Sequence, residues 1–261
     1  MSNKSDMKPI QCERSEGILT LRINRPEKKN ALNLAMYQAL ADGLREADNE
    51  DAVRVTLICG SDACFTSGND LADFIGDPPT GPDSPVMQFL FAISEARKPI
   101  VAAVNGLAVG VGVTMLLHCE LVYAGRGAIF QMPFVNLGLC PEAGSTLLLP
   151  RVMGHQRAAE LVLMGESFSA DKALSLGIVT EICPDNEVLT TARSKALQLA
   201  AQPPAAVRLT KKLLKRNYAL QLRDTIVEEG VQFMERLKSP ETNEALQAFM
   251  QRRKPDFSKF D

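Results

Sequence analysis

Histidine is scarce in this 261-residue chain. Only His118 and His155 occur, neither in a clustered ligand pattern, which argues against a histidine-based zinc site. The six cysteines (Cys12, Cys59, Cys64, Cys119, Cys140, Cys183) show no CxxC spacing. Several lie in apolar runs, where a thiol behaves as a small hydrophobe, so they read as reduced core residues of an intracellular protein rather than a disulfide framework. No apolar run reaches the ~18–20 residues of a membrane span. Charge of one sign is also lacking: 29 Lys and Arg against 31 Asp and Glu leave a net charge of −2. That balance gives no reason to expect nucleic acid or a membrane surface as partner. Residues 1–10 are polar and carry Asp6, unlike a secretory signal or a transit peptide, and Lys259-Phe260-Asp261 is not a peroxisomal address. The expectation from these absences is a cytoplasmic protein with no metal.

What is present is an ordinary globular composition, 46% hydrophobic with 17 Gly and 15 Pro. The length lies at the upper end for one domain. Residues 18–24 alternate apolar and polar like a strand, and Arg25-Pro26 ends it. Leu34, Met36, Leu40, Leu44 and Ala47 predict an amphipathic helix over 33–47. A second strand is predicted at 53–60, a loop at 76–85, a helix at 86–97 and a buried strand at 100–104. Residues 113–119 read as a buried helix, and 121–125 and 128–130 as short strands. Beyond Arg151 the pattern turns mostly helical: 156–164, 170–176, 186–200, 204–217, 221–238 and 240–253. Strands alternating with helices imply an α/β core with parallel strands. The change near residue 200 divides it into a core at 1–200 and a helical C-terminal segment at 201–261.

Three segments attract chemical interest. Cys64-Phe65-Thr66-Ser67-Gly68-Asn69-Asp70-Leu71 follows the second strand, and Gly106 to Gly112 follows the strand at 100–104. Glycine lets a backbone approach a ligand closely, and N–H groups at a helix start point outward unpaired. Two such groups converging on one oxygen stabilise an enolate. Each turn alone is equally an ordinary strand-to-helix junction. Gly106-Leu107-Ala108-Val109-Gly110 lacks the spacing of a dinucleotide or Walker loop, so a nucleotide-phosphate role gains no support. The third segment carries Glu142 among Leu137, Leu139, Cys140 and Leu147-Leu148-Leu149. Apolar surroundings disfavour the charged carboxylate and raise its pKa towards that of a useful general base. A helix N-terminal glutamate after Pro141, favoured by the dipole, explains the same residue.

Together these segments resemble the crotonase, or enoyl-CoA hydratase/isomerase, superfamily. The likeness rests on Asn24-Arg25-Pro26 with Asn30-Ala31-Leu32-Asn33, on Phe65-Thr66-Ser67-Gly68-Asn69-Asp70-Leu71, and on Lys98-Pro99-Ile100-Val101-Ala102-Ala103-Val104-Asn105-Gly106. It continues through Phe130-Gln131-Met132-Pro133-Phe134, Ala170-Asp171-Lys172-Ala173-Leu174-Ser175-Leu176-Gly177-Ile178-Val179 and Ala248-Phe249-Met250-Gln251-Arg252-Arg253-Lys254-Pro255-Asp256-Phe257. The order and spacing of these pieces are specific. The resemblance implies an α/β fold, a spiral of ββα units with a helical C-terminal trimerisation region, assembled as a trimer or a dimer of trimers.

It further implies an oxyanion hole of two backbone N–H groups around an acyl-CoA thioester, here those of Asn69 and Val111, between Gly68 and Asp70 and beside Gly110. Hydratases of this kind carry two glutamates, where this sequence has Thr114 and Phe134. Glu142 stands where hydratases have glycine, a placement that looks like the peroxisomal-type Δ3,Δ2-enoyl-CoA isomerases. Such enzymes need no cofactor beyond the coenzyme A of the substrate. By the same resemblance Lys28, Lys29 and Ala31 line the coenzyme A, with Ser67, Gly68, Asp70, Leu71 and Gly110 along the substrate. Phe249 and Arg252 approach the adenine from a neighbouring subunit. The alternatives are another crotonase-type activity (hydratase, hydrolase or dienoyl-CoA isomerase) or a silent acyl-CoA-binding protein. RNA binding, known for some relatives, wants a basic surface, which the sequence does not show.

Overall fold

The computed structural model describes residues 8–70 and 81–260. Among these residues ten strands build two sheets. The larger takes β1 (Ile10–Ser15), β2 (Ile18–Ile23), β3 (Val55–Cys59), β5 (Ile100–Val104), β7 (Leu121–Gly125) and β10 (Glu181–Cys183), in the order β1-β2-β3-β5-β7-β10. The smaller takes β4 (Cys64–Thr66), β6 (Leu107–Val109), β8 (Ile129–Gln131) and β9 (Phe168–Ser169), in chain order. The pairs β3–β4, β5–β6 and β7–β8 each run from the large sheet into the small one. Pairing is parallel except for β1 with β2 and β8 with β9, so the expected parallel core acquires an antiparallel strand at one edge of each sheet.

Period-two alternation decides what each face of the large sheet covers. Val55, Leu57 and Cys59 of β3, with Val101 and Ala103 of β5, face the helix Val188–Ala200 through its small residues Ala192 and Ala196. Ile58, Ile100, Ala102 and Val104 face the main core, with Met36, Leu40 and Leu44 from the helix Leu34–Asn49. Burial on both faces explains why residues 100–104 read as an unbroken apolar run.

Several boundaries differ from the sequence reading. The helix Leu34–Asn49 is capped by Asn33, whose side chain accepts from Met36 N at 2.9 Å. Pro85 lies inside a helix, not a loop: Ser84 caps Pro85–Glu95, with proline in the first turn. The expected helix over 113–119 is instead one α-turn, Val111–Thr114, tightening into a 3-10 turn, Met115–His118. Five strands and one α-helix lie outside the sequence reading: β1, β4, β6, β9, β10 and Ser145–Met153, with β4 and β6 falling inside the segments read as glycine turns. After residue 200 the chain forms the helices Pro204–Lys215, Ala219–Leu237 and Pro240–Met250. No helix among the described residues is long and apolar enough to cross a membrane.

Candidate active site

Parallel pairing of β4 with β6 sets the two glycine turns side by side. Thr66 opposes Ala108, so the chain leaves both strands at the same edge of the small sheet. The approach is close enough to require glycine. A Cβ on Gly68 would meet Val109 O at 2.9 Å, and one on Gly112 would meet Thr66 Cγ2 at 2.6 Å. Gly110 holds φ +56 and ψ −117, a conformation open to glycine alone, and starts the α-turn at Val111. Asn69 is half-buried and Val111 is buried. Among the described residues neither main-chain N–H has an acceptor. Tyr37, fully buried, donates its hydroxyl to Asn69 Oδ1 and so pins the side chain while the amide stays open.

The first turn is laced to the loop at 25–32. Leu32 N donates to Gly68 O and Asp70 N to Leu32 O, each at 2.8 Å, and Ser67 N reaches Lys29 O at 3.1 Å. Arg25 pairs with Asp70 at 2.7 Å and also donates to Ala31 O. Lys28, Lys29, Ala31, Ser67, Gly68 and Asp70 are thereby gathered around one turn, with both lysines exposed. Leu71 lies outside the described residues. Phe249 and Arg252 do not join this cluster: both are exposed at the end of Pro240–Met250, outside the cavity that holds Glu142.

Glu142 stands in the loop before the helix Ser145–Met153, 6% exposed. Ala143 and Gly144 turn the chain there with φ of +63 and +70. A Cβ on Gly144 would lie 2.2 Å from Leu222 Cδ1. Buried His118 donates from Nε2 to Ala143 O at 2.8 Å, and burial pushes its pKa down to about 3, which keeps it neutral. Burial raises the Glu142 carboxyl to about 8; the Thr114 hydroxyl, donating to Oε1, opposes that rise, and the charge of Glu229 adds to it. Phe134 packs about 4.0 Å from the Cβ position of Gly110, placing an apolar ring beside the second turn.

Glu142 and Asn69 line one cavity, walled by Met87 and Leu90 from Pro85–Glu95 and by Phe233 and Met234 from Ala219–Leu237. Its volume is about 30 Å³, room for about one water, so a larger guest requires the walls to move. Unbranched methionines suit that task. The C-terminal helix Ala219–Leu237 therefore also closes this cavity.

Three partners here were not found from sequence: Tyr37, Thr114 as the hydroxyl on Glu142, and Glu229. The expectation that Glu142 is a helix N-terminal acid is also corrected. Gly144 is the N-cap, Glu142 lies before it, and the carboxylate at that helix start belongs to Glu229.

A larger concavity of about 610 Å³ lies elsewhere, where Arg97, Arg208, Lys211, Lys212, Lys215 and Arg216 gather. The near-neutral total charge concealed this basic groove. Lys211, 5% exposed, pairs with Glu120 at 2.9 Å, and burial with the neighbouring Lys211 charge lowers Lys215 to about 8. Among the described residues its single lining carboxylate, Glu95, is engaged by Arg223.

The sequence profile described as Enoyl-CoA hydratase/isomerase matches residues 13–259. The chain belongs to this family. An Escherichia coli relative named 1,2-epoxyphenylacetyl-CoA isomerase is 36% identical over 253 residues, 93% of this chain and 95% of its own. The human enoyl-CoA delta isomerase 2 is 32% identical over 91% of this chain and 62% of its own length. The OdaA structure from Pseudomonas aeruginosa superposes with a TM-score of 0.91 at 51% identity, covering 94% of this chain and 99% of that one. Relatives named as hydratases lie at similar identity, 32% in one case. The enoyl-CoA hydratase/isomerase family member described here thus has the crotonase-like α/β fold and the acyl-CoA chemistry of that family.

Proposed function

We propose that this enzyme is a Δ3,Δ2-enoyl-CoA isomerase of fatty acid oxidation, with Glu142 as its single acid–base group. One observation carries the reading: among the described residues lining the cavity, Glu142 is the sole ionisable side chain. The positions at which hydratases of the family carry their two glutamates hold Thr114 and Phe134, a hydroxyl and an aromatic ring. Water addition needs a group to activate the water and a proton source. Proton transposition needs one base.

In this mechanism the thioester oxygen of a 3-enoyl-CoA accepts hydrogen bonds from the N–H groups of Asn69 and Val111. Ionised Glu142 removes a proton from C2. The electron pair delocalises into a dienolate whose charge rests on the thioester oxygen. The same carboxyl returns the proton to C4, leaving the double bond between C2 and C3. A hole donor contributes roughly 3–4 kcal/mol in comparable acyl chemistry, and a well-placed base ~10²–10⁴ in rate. Lys28, Lys29 and Ala31 serve the coenzyme A, with Ser67, Gly68, Asp70, Leu71 and Gly110 along the acyl end. Phe249 and Arg252 approach the adenine across a subunit boundary, which their exposure suits. Residues 201–261 form the oligomerisation region of a trimer or a dimer of trimers, in the cytoplasm.

Purified protein given a 3-enoyl-CoA is expected to generate conjugated-thioester absorbance, and Glu142→Gln to abolish nearly all of it while still binding the ester. Full rate in Glu142→Gln removes the base from this scheme. Brisk hydration of crotonyl-CoA replaces the isomerase reading with a hydratase.

A further inference from the structure

A second carboxylate lies buried behind Glu142. Glu229, 6% exposed on the helix Ala219–Leu237, points into the start of Ser145–Met153. Its Oε2 accepts from Gly144 N at 2.6 Å, and its Oε1 accepts from Thr146 N at 2.9 Å and Thr146 Oγ1 at 2.5 Å. Three donors and the positive end of a helix favour the ionised form. Among the described residues Glu142 has one donor, the Thr114 hydroxyl. Two carboxyls in unequal surroundings divide the work of charge storage and proton exchange.

We infer that Glu229 is a positioning residue for Glu142: it clamps the Gly144–Thr146 backbone to the cavity wall and carries the fixed negative charge of the pair, leaving Glu142 as the member that exchanges a proton. Glu229 tethers the loop two residues beyond the base, and its neighbours Gly230, Phe233 and Met234 form the wall beside that base. One helix therefore sets the position of Glu142, its electrostatics and the room next to it. Among the described residues the groups facing Glu142 are the Thr114 hydroxyl, the Tyr37 phenol from Leu34–Asn49, the Cys140 thiol of its own loop, and Glu229. Burial raises both Tyr37 and Cys140, which keeps them neutral at pH 7. Burial also raises Glu229 itself, against its three hydrogen bonds, while the Glu142 carboxyl goes to about 8.

The role of Glu142 as base rests on the proposed isomerase function, whereas the division of charge between the two carboxyls does not. The test reads both. Carboxyl ¹³C titration of glutamate-labelled enzyme follows Glu142 directly, its signal assigned by loss in Glu142→Gln, beside the pH profile of kcat/KM. In the wild type Glu229 should release its proton at lower pH than Glu142; the reverse order overturns the inference without any variant of Glu229. Glu229→Gln removes the fixed charge. The Glu142 midpoint and the acid limb of kcat/KM should both fall by on the order of one pH unit. Glu229→Asp keeps the charge but shortens the clamp, so kcat should drop with the midpoint held. A Glu142 midpoint identical in Glu229→Gln and wild type refutes the pairing, since a merely structural cap lowers rate or stability without moving a titration. If the titrations shift as stated and no isomerisation occurs, the function is wrong and the pair stands.

Discussion

Replacing Glu142 by glutamine should shift stability in favour of the variant by an amount that grows with pH. The carboxyl is raised from an ordinary 4.5 to about 8, chiefly by burial. Between those values the native state holds a proton that the unfolded chain has released. Stability referable to this group is complete below pH 4.5 and is lost as pH rises through about 8. A shift of roughly 3.5 units at 1.36 kcal/mol each bounds the loss at about 5 kcal/mol, with about 3 kcal/mol incurred by pH 7 and under about 1 kcal/mol at pH 5. Glutamine has no charge to desolvate and keeps an oxygen for the Thr114 hydroxyl. Its new N–H₂ group, left without a designed acceptor, costs about 1–3 kcal/mol at every pH. Urea unfolding of both proteins at one protein concentration, at pH 5, 7 and 9, measures the difference. The variant should gain about 4 kcal/mol relative to wild type between pH 5 and pH 9. A pH-independent difference would show that Glu142 ionises as freely in the fold as in the open chain, and the case for a tuned base would fail.

Val111→Pro deletes one N–H of the paired turns at the first helical position, where proline fits; the rate with a 3-enoyl-CoA should fall ~10²–10³-fold with little change in unfolding midpoint. Thr114→Val removes the hydrogen bond that restrains the Glu142 shift, so the acid limb of kcat/KM should move to higher pH and activity at pH 7 should decline severalfold. His118, lowered to about 3 by burial, makes wild-type stability decline as pH falls from 6.5 towards 3, because the unfolded chain takes up the proton first. Stability curves of His118→Gln against pH should lack that slope.

The legible parts of the fold are those in which burial leaves a periodic mark. Residues 18–23 and 100–104 show as strands because their side chains meet core on one face or both. β1 leaves no such mark, since Cys12, Glu13 and Arg14 are exposed and only Ile10 is buried. The helix Ser145–Met153 was hidden by its internal Pro150. At 111–118 the apolar run foretold burial, but nothing in it distinguishes an α-turn that tightens to 3-10 from a continuous helix.

At the site, Glu142 was conspicuous because a charge among leucines is costly, and its apolar setting is what the fold provides. Its partners lie 28 and 87 residues away, and such pairings depend on which helix folds back over the loop. Glu228 and Glu229 are adjacent and chemically identical in sequence; only the docking of Ala219–Leu237 makes one solvent-facing and the other a buried clamp. The sequence offered two explanations for one glutamate, a desolvated base or an acid at a helix start. In the folded chain both environments exist, on different residues. Both carboxyls are buried, but Glu229 also sits at the helix start with three hydrogen-bond donors, and that inequality is the ground on which the two neighbouring carboxyls are proposed to divide charge and proton exchange.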